Sequence, residues 1–479
     1  MKRKYIIIAL SLLVVVILGA SFVGYSENKF VNTIKFYTPQ NLKTALKENI
    51  FFISSLRSKT NENKKDIKRI YSKIGNLEDQ FKVEKNNINF LLSQIYDNQE
   101  KIVTPMIKNV QLITTEKNNT YKLKKFYYPS LPWQYNKKKP AGYLYQHKDL
   151  IFVASGDGVI NYFNINDIEK ESLELNIIKT NIIDLLNDEN LTNSSKVSIR
   201  GIFIKNKKIF LSYAKKVKEN CYNTSIMSAD LDFQSLSFSE FFTYEECSKN
   251  FSNHTGGRMM NFNEESFLFT TGDGQIFSEV QNSNSMWGKL LMINFEGDHK
   301  IIAKGLRDTQ GGEYYSKDKI VIMSEHGPTG GDEINAIRLD EFNKEVNFGW
   351  PIATYGEIKY ITIPENKFTI KDELNHKKNG FKEPLAHYAP SVAPSHIMSV
   401  DNFRSDFNND FFMSAMGNVP APGRRALHHI KFDKDYKQVI FSDIIYVGER
   451  VRDMIYIKDK NKVILILENS PAISILEAL

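Results

Sequence analysis

"KIVIMSEHGPTGGDEINAIRL", residues 319–339, sets an apolar run on either side of a loop. Both runs are β-prone and bounded by turn residues, so the stretch reads as strand–loop–strand. The loop carries Gly327, Gly330, Gly331, Pro328, His326 and the acids Glu325, Asp332 and Glu333. That is more glycine than a tight turn requires, so the loop is expected to hold something. Working outward, short strands separated by turn signals recur in "DLIFVASGDGVINYF", "GIFIKNKKIFLSYA", "SFLFTTGDG", "KLLMINFEGD", "FFMSAMG" and "KVILILE". Helical periodicity is nearly absent from about residue 109 onward. This spacing predicts an all-β fold over 109–479, a β-propeller of four-stranded blades around a central channel. There are too many strands for a sandwich of two packed sheets.

The 479 residues are 42% hydrophobic, enough for one large domain or two ordinary ones. The net charge of +7, from 63 Lys+Arg against 56 Asp+Glu, is spread along the chain. No basic cluster with interleaved aromatics appears, so nucleic acid is not an expected partner.

"MKRK" precedes "YIIIALSLLVVVILGASFVG", twenty residues without a charge. Such a run spans the roughly 30 Å hydrocarbon core of a bilayer. The basic flank predicts the N-terminus inside and the rest of the chain on the periplasmic or outer side. Residues 1–26 are therefore expected to be a transmembrane anchor. The alternative is a cleaved signal peptide, whose apolar region usually runs ~7–15 residues, with "GAS" at 19–21 as the cleavage site. Export makes a disulfide between Cys221 and Cys247 reasonable, because they bracket two strands around a turn near Phe233–Ser235. Two inert thiols are the alternative.

Residues 27–108 differ from the rest, being rich in Lys, Asn and Glu. Ile67, Ile74, Phe81, Ile88 and Ile95 recur every seven residues, with Ile70, Leu77 and Leu91 in the second apolar position. This is a coiled-coil seam over 67–95, expected to build a self-associating stalk. A surface-lying amphipathic helix is the other reading, and Gly75 and Glu84 interrupt the seam.

From about residue 196 onward the series "NHTGGRMMNF", "FLFTTGDG", "AKGLRDTQGG", "SEHGPTGGDEINAI", "NFGWPIATYGE", "HYAPSVAPSHI" and "RVRDM" resembles the quinoprotein sugar dehydrogenases. These are the soluble glucose dehydrogenase and aldose sugar dehydrogenase type, which use pyrroloquinoline quinone (PQQ). The resemblance implies six blades, with PQQ over the central channel. It further implies calcium held by the carbonyls of Gly327 and Pro328, as suits a hard cation. A second calcium would lie at Glu333 with Phe348, the aromatic of the "NFGWP" stretch. His254 matches the base that removes the sugar hydroxyl proton, and imidazole suits that task near neutral pH. Asp273 matches the acid that orients it. Arg307 matches the cation beside the reactive carbonyls, and Gln310 a further cofactor contact. Arg450 and Arg452 match the pair that takes the cofactor carboxylates, and strand alternation would put both on one side. His326 is read as structural.

The resemblance departs at three points. Asp308 stands where the family has Asn, Gly417 where it has Lys, and Lys196 where it has Gln. Lys196 and Arg424 are the candidates to restore the missing positive charge. The expected function is oxidation of an aldose or related alcohol with PQQ and Ca²⁺, passing electrons to an unidentified acceptor. The alternative is a non-catalytic propeller that binds a carbohydrate or a protein.

Overall fold

The computed structural model describes residues 101–128, 141–186, 199–249, 254–328, 330–356, 376–404, 409–417, 422–470 and 472–479. All belong to the unit Gln99–Leu479. The expected anchor at 1–26 and the seam at 67–95 lie outside the described residues. Among those described, no helix is long and apolar enough to cross a membrane. The first strand, Lys101–Thr114, starts inside the stretch assigned to the stalk rather than at 109. Its apolar residues Ile102, Ile107 and Ile113 belong to a sheet and not to a helical seam.

Six four-stranded blades follow among the described residues. Blade 1 is Gly142–His147, Leu150–Ser155, Ile160–Asn164 and Ser172–Thr180. Blade 2 is Ile199–Lys205, Lys208–Lys218, Cys221–Asp230 and Ser239–Phe242. Blade 3 is Gly256–Asn261, Ser266–Thr271, Lys289–Asn294 and His299–Lys304. Blade 4 is Thr309–Tyr315, Ile320–Glu325, Asp332–Arg338 and Ala386–Tyr388. Blade 5 is Pro394–Ser399, Asp410–Ala415, Leu427–Phe432 and Val439–Ile445. Blade 6 takes Val451–Ile457, Lys462–Leu467 and Ala472–Ala478 from the end of the chain, and its outer strand, Thr120–Tyr127, from before blade 1. The chain thus closes its own ring. Lys101–Thr114 then joins the outer edges of blades 6 and 1, pairing with Thr120–Tyr127 and with Ser172–Thr180.

The first strand of each blade lies innermost, and these strands neighbour one another in a closed circle. Middle strands such as Ile320–Glu325 are buried along their whole length, which is why they read as continuous apolar runs. The apolar layers lie between blades. Phe203 and Phe210 of blade 2 meet Phe267 of blade 3 at ring distances of 5.3 and 5.7 Å. Truncating such a phenylalanine to alanine costs about 3–5 kcal/mol. Cys221 and Cys247 are bonded to each other, staking the end of blade 2's third strand. The intervening chain is more than a hairpin, because Ser235–Leu236 leaves to pair with Lys179–Thr180 of blade 1.

Candidate active site

Inner strands are where the blades converge, and in blades 2 to 6 each inner strand breaks register near its start. The breaks fall between Ile199 and Gly201, Gly256 and Met259, Thr309 and Gly311, Pro394 and Ile397, and Val451 and Asp453. A bulge takes a residue out of the ladder and re-aims its side chain. The displaced residues are Arg200, Gly257 with Arg258, Gln310, Ser395 with His396, and Arg452. Arg200, Gln310, Ser395 and Arg452, joined by Tyr143, Thr255 and Gly256, line one polar cleft. All six blades contribute to this cleft, and bulges in blades 2, 4, 5 and 6 supply four of its lining residues.

His254 precedes the inner strand of blade 3, and Asp273 follows the neighbouring strand. The pairing of Gly256 with Thr271 closes this hairpin and brings the two side chains together. Gly272 is required there, since a Cβ would sit 2.1 Å from the His254 carbonyl oxygen. His254 Nδ1 lies 2.9 Å from Asp273 Oδ1. The other Asp273 oxygen accepts from the Trp350 indole N–H at 2.8 Å. Arg307 Nη2 lies 2.8 Å from His254 Nε2. Guanidinium can only donate, so Nε2 accepts and the ring hydrogen is on Nδ1, facing Asp273. Asp273 is fully buried. Arg307 also donates to the His326 carbonyl at 2.8 Å and lies 5.4 Å from the Trp350 ring centre. Its backbone N–H is held by Glu325, whose carboxyl is pushed up to about 7 by burial. His326 is structural, as expected, because its carbonyl positions Arg307.

The cofactor-binding candidates are arranged differently from the sequence expectation. Arg452 is itself the bulged residue, so simple alternation does not describe Arg450 and Arg452. They converge because both grip one acid, Glu468. Arg450 Nε and Arg452 Nε each lie 2.5 Å from a different Glu468 oxygen. Arg450 also donates to the Met416 carbonyl. Arg452 donates to Gln310 Oε1 at 2.9 Å, and Gln310 donates to Asp308 at 2.9 Å. Burial pushes the Asp308 carboxyl up, but His326, His254 and hydrogen bonds bring it below its ordinary range.

Lys196 lies outside the described residues. Arg424, the other candidate for the missing charge, points its Nε to the Ser391 carbonyl at 2.7 Å, and its stem packs over Gly417. Besides Arg452, the cation that lines the cleft is Arg200, which was not among the sequence candidates. Glu468 was missed too.

The loop at 324–333 is held by close backbone packing. A Cβ on Gly327 would lie 1.8 Å from the Gly331 carbonyl oxygen. Asp332, which is 1% exposed, accepts from the Gly327 N–H and from the N–H groups of Val392 and Ala393. The Pro328 carbonyl accepts from Ser391 at 3.2 Å. Glu333 is buried, 3.2 Å from Asn335 Nδ2 and 3.9 Å from His376. Burial, and then the nearby Glu325 charge, push its carboxyl up. The Phe348 ring lies in the apolar layer between blades 3 and 4, so only its main chain is free to serve a metal. Among the described residues no group of three or more His, Cys, Asp or Glu side chains could hold a metal. A site made of carbonyls does not need one.

Residues 194–476 match the family model described as Glucose / Sorbosone dehydrogenase. An uncharacterized protein of Synechocystis is 25% identical over 54% of this chain and 64% of its own length. The aldose sugar dehydrogenase YliI of Escherichia coli is 28% identical over 40% of this chain and 53% of its own. The chain thus spans less than two thirds of either relative. Among solved structures, the apo soluble aldose sugar dehydrogenase of Escherichia coli superposes with a TM-score of 0.56 at 18% identity, covering 79% of this chain and all of that one. The PQQ-bound aldose sugar dehydrogenase of Streptomyces coelicolor does so with a TM-score of 0.53 at 16% identity, covering 79% and 98%. These likenesses establish the propeller fold.

Proposed function

The chain belongs to the glucose/sorbosone dehydrogenase family, and from that premise we propose that it oxidises an aldose sugar or related alcohol, with PQQ as cofactor and calcium as metal. One observation carries this reading: the relay Trp350–Asp273–His254–Arg307 at the edge of a cationic cleft. The residues fit a polyanionic quinone. Arg200 and Arg452 line the cleft, and no acid is among its described lining residues. Arg307 Nε is buried with no acceptor among the described residues, leaving a donor for an added oxygen. Arg200, Arg452 and Gln310 would hold the carboxylate end. PQQ bound there would supply an ortho-quinone, the acceptor for the electron pair released at the alcohol carbon.

The remaining chemistry belongs to the chain. His254 takes the hydroxyl proton at Nε2, whose lone pair is freed when Arg307 Nη2 turns from it to an arriving oxygen. The charge it gains is offset by Asp273 across Nδ1–H, and the Trp350 N–H keeps Asp273 from rotating. Arg307 directs its donors at oxygen on which negative charge develops. The carbonyls of Gly327 and Pro328 would hold calcium, and Glu333 with the Phe348 main chain a second ion.

The proposal also covers the setting. In this reading residues 1–26 anchor the chain, the segment from 27 up to the strand at Lys101 forms a stalk that can self-associate, and the propeller faces the periplasm or exterior. The Cys221–Cys247 bridge supports an oxidising compartment. A non-catalytic binder is favoured by one observation, the engagement of both Arg450 and Arg452 by Glu468. The deciding experiment adds PQQ and Ca²⁺ to the purified protein and follows dye reduction over a panel of sugars. PQQ-dependent reduction with at least one aldose is expected. No reduction with any sugar at saturating PQQ overturns the enzyme reading.

A further inference from the structure

We propose that Glu468 is an internal competitor for ligand carboxylates: it holds the Nε–H of both Arg450 and Arg452 and so sets how tightly the cleft takes a polycarboxylate. The inference rests on the cofactor reading above for its natural ligand, but not for its geometry. Glu468 is 4% exposed and uses both oxygens, one on each arginine, at 2.5 Å. Its backbone is fixed, because its N–H donates to the Arg450 carbonyl at 3.0 Å. Only the side chain is left to give way.

The neighbouring donors are supplied from within in the same manner. Arg450 also reaches the Met416 carbonyl, Arg452 reaches Gln310, and Gln310 reaches Asp308. Yet Arg452 and Gln310 line the cleft, so a ligand carboxylate entering it arrives beside Glu468. Two carboxylates on one arginine pair repel each other, and guanidinium forks favour a planar, two-point acceptor. A ligand must therefore displace Glu468 or bind beside it at a cost. A neutral sugar would gain nothing from this exchange, which confines the effect to anionic ligands.

The test uses the full chain and two probes, PQQ and benzene-1,2,4-tricarboxylate, each measured by equilibrium dialysis at fixed ionic strength. Glu468→Gln removes the charge and keeps an acceptor. It is expected to tighten binding of both probes by ~10-fold or more, the scale of relieving a like-charge contact. Glu468→Asp keeps the charge on a shorter stem that cannot span both arginines, and should fall between the two. It also serves as the readout if the Gln variant does not fold. PQQ bound equally by wild type and both variants overturns the proposal and leaves the cofactor reading standing. PQQ bound by none of them, with the tricarboxylate tightened, upholds the proposal and removes the cofactor reading. Neither probe distinguishing the proteins overturns the proposal.

Discussion

The two ends of the cleft handle charge in opposite ways. At the His254 end the Nε2 lone pair is held only by Arg307 Nη2, and Arg307 Nε has no acceptor among the described residues. At the Arg452 end, Glu468, Gln310 and the Met416 carbonyl already engage the Nε–H and an Nη group of each arginine. The first arrangement suits a reacting molecule, because an arriving oxygen can take over the Arg307 donors and free Nε2. The second suits a fixed scaffold, because any change must break contacts already made. Damage should therefore fall on turnover at one end and on stability at the other.

The largest effect is expected at the scaffold end. Arg452→Met leaves the buried Glu468 with one partner instead of two, and should cost about 3–5 kcal/mol in a denaturant melt. Loss of less than about 1 kcal/mol would put the pair among weak surface bridges and erase the contrast. The acid limb gives a second readout. Burial pushes the Glu468 carboxyl up, but Arg452 and Arg450 outweigh it and hold the group below its ordinary 4.5. A depressed carboxyl stabilises fully above its unfolded pKa, and that contribution is lost as pH falls through the folded value. The wild-type melting temperature should thus drop below about pH 4.5 more steeply than that of Glu468→Gln.

At the reacting end, His254→Gln should leave the melt and PQQ affinity nearly unchanged and reduce turnover by roughly 10²-fold or more. Turnover within a few-fold of wild type would show that another group takes the proton.

Much of the His254 end was legible in the sequence because it is local. His254 and Asp273 flank a single hairpin, and Arg307 begins at the next blade, so a linear motif keeps them in place. At the Arg452 end Gln310, Arg450 and Arg452 were named from their motifs, but the acid that joins the two arginines was not. Glu468 reaches the arginines through the cross-strand register of blade 6, and a bulge at Arg452 shifts that register. Arg200 was missed for the same reason, since nothing in "SIRG" announces a bulge. Blade count was hidden because blade 6 takes its outer strand from residues 120–127, and because blade 4 holds an insertion between Arg338 and Ala386. Strand existence was easier, since buried middle strands such as Lys462–Leu467 are unbroken apolar runs.

Calcium offers a smaller separation of the two ends. Arg307 hangs from the His326 carbonyl, next to Gly327, whereas among the described residues the loop reaches Glu468 only indirectly, through Asp308, Gln310 and Arg452. Chelation should lower the melting temperature, and added Ca²⁺ at a hundredfold excess over its Kd should restore about 2.7 kcal/mol. Turnover should fall with calcium removal, whereas binding of benzene-1,2,4-tricarboxylate should not. Mg²⁺ should rescue poorly, as it demands a tighter octahedron. A melt indifferent to chelator and calcium alike would reduce the loop to the backbone packing seen at Gly327 and Gly331.

The finest test concerns how the relay is held. Trp350 donates its indole N–H to Asp273 at 2.8 Å and lies below Arg307 at 5.4 Å. Trp350→Phe removes the donor and keeps an aromatic face, so Asp273 loses one constraint while Arg307 retains its support. A neutral-donor bond to a carboxylate contributes about 1.5–3 kcal/mol at most, and the Gln275 N–H still holds the other Asp273 oxygen. With that second bond retained, turnover should fall by about 10-fold, the low end of that range, and so by less than in His254→Gln. A kcat-against-KM split separates positioning from mere damage. Without the indole donor Asp273 holds the imidazole less firmly, so kcat should fall while KM and the tricarboxylate affinity at the Arg452 end stay constant. An unmoved kcat with a fallen melting temperature would mean that Trp350 serves only as packing, and that the His254 end needs no support beyond its hairpin.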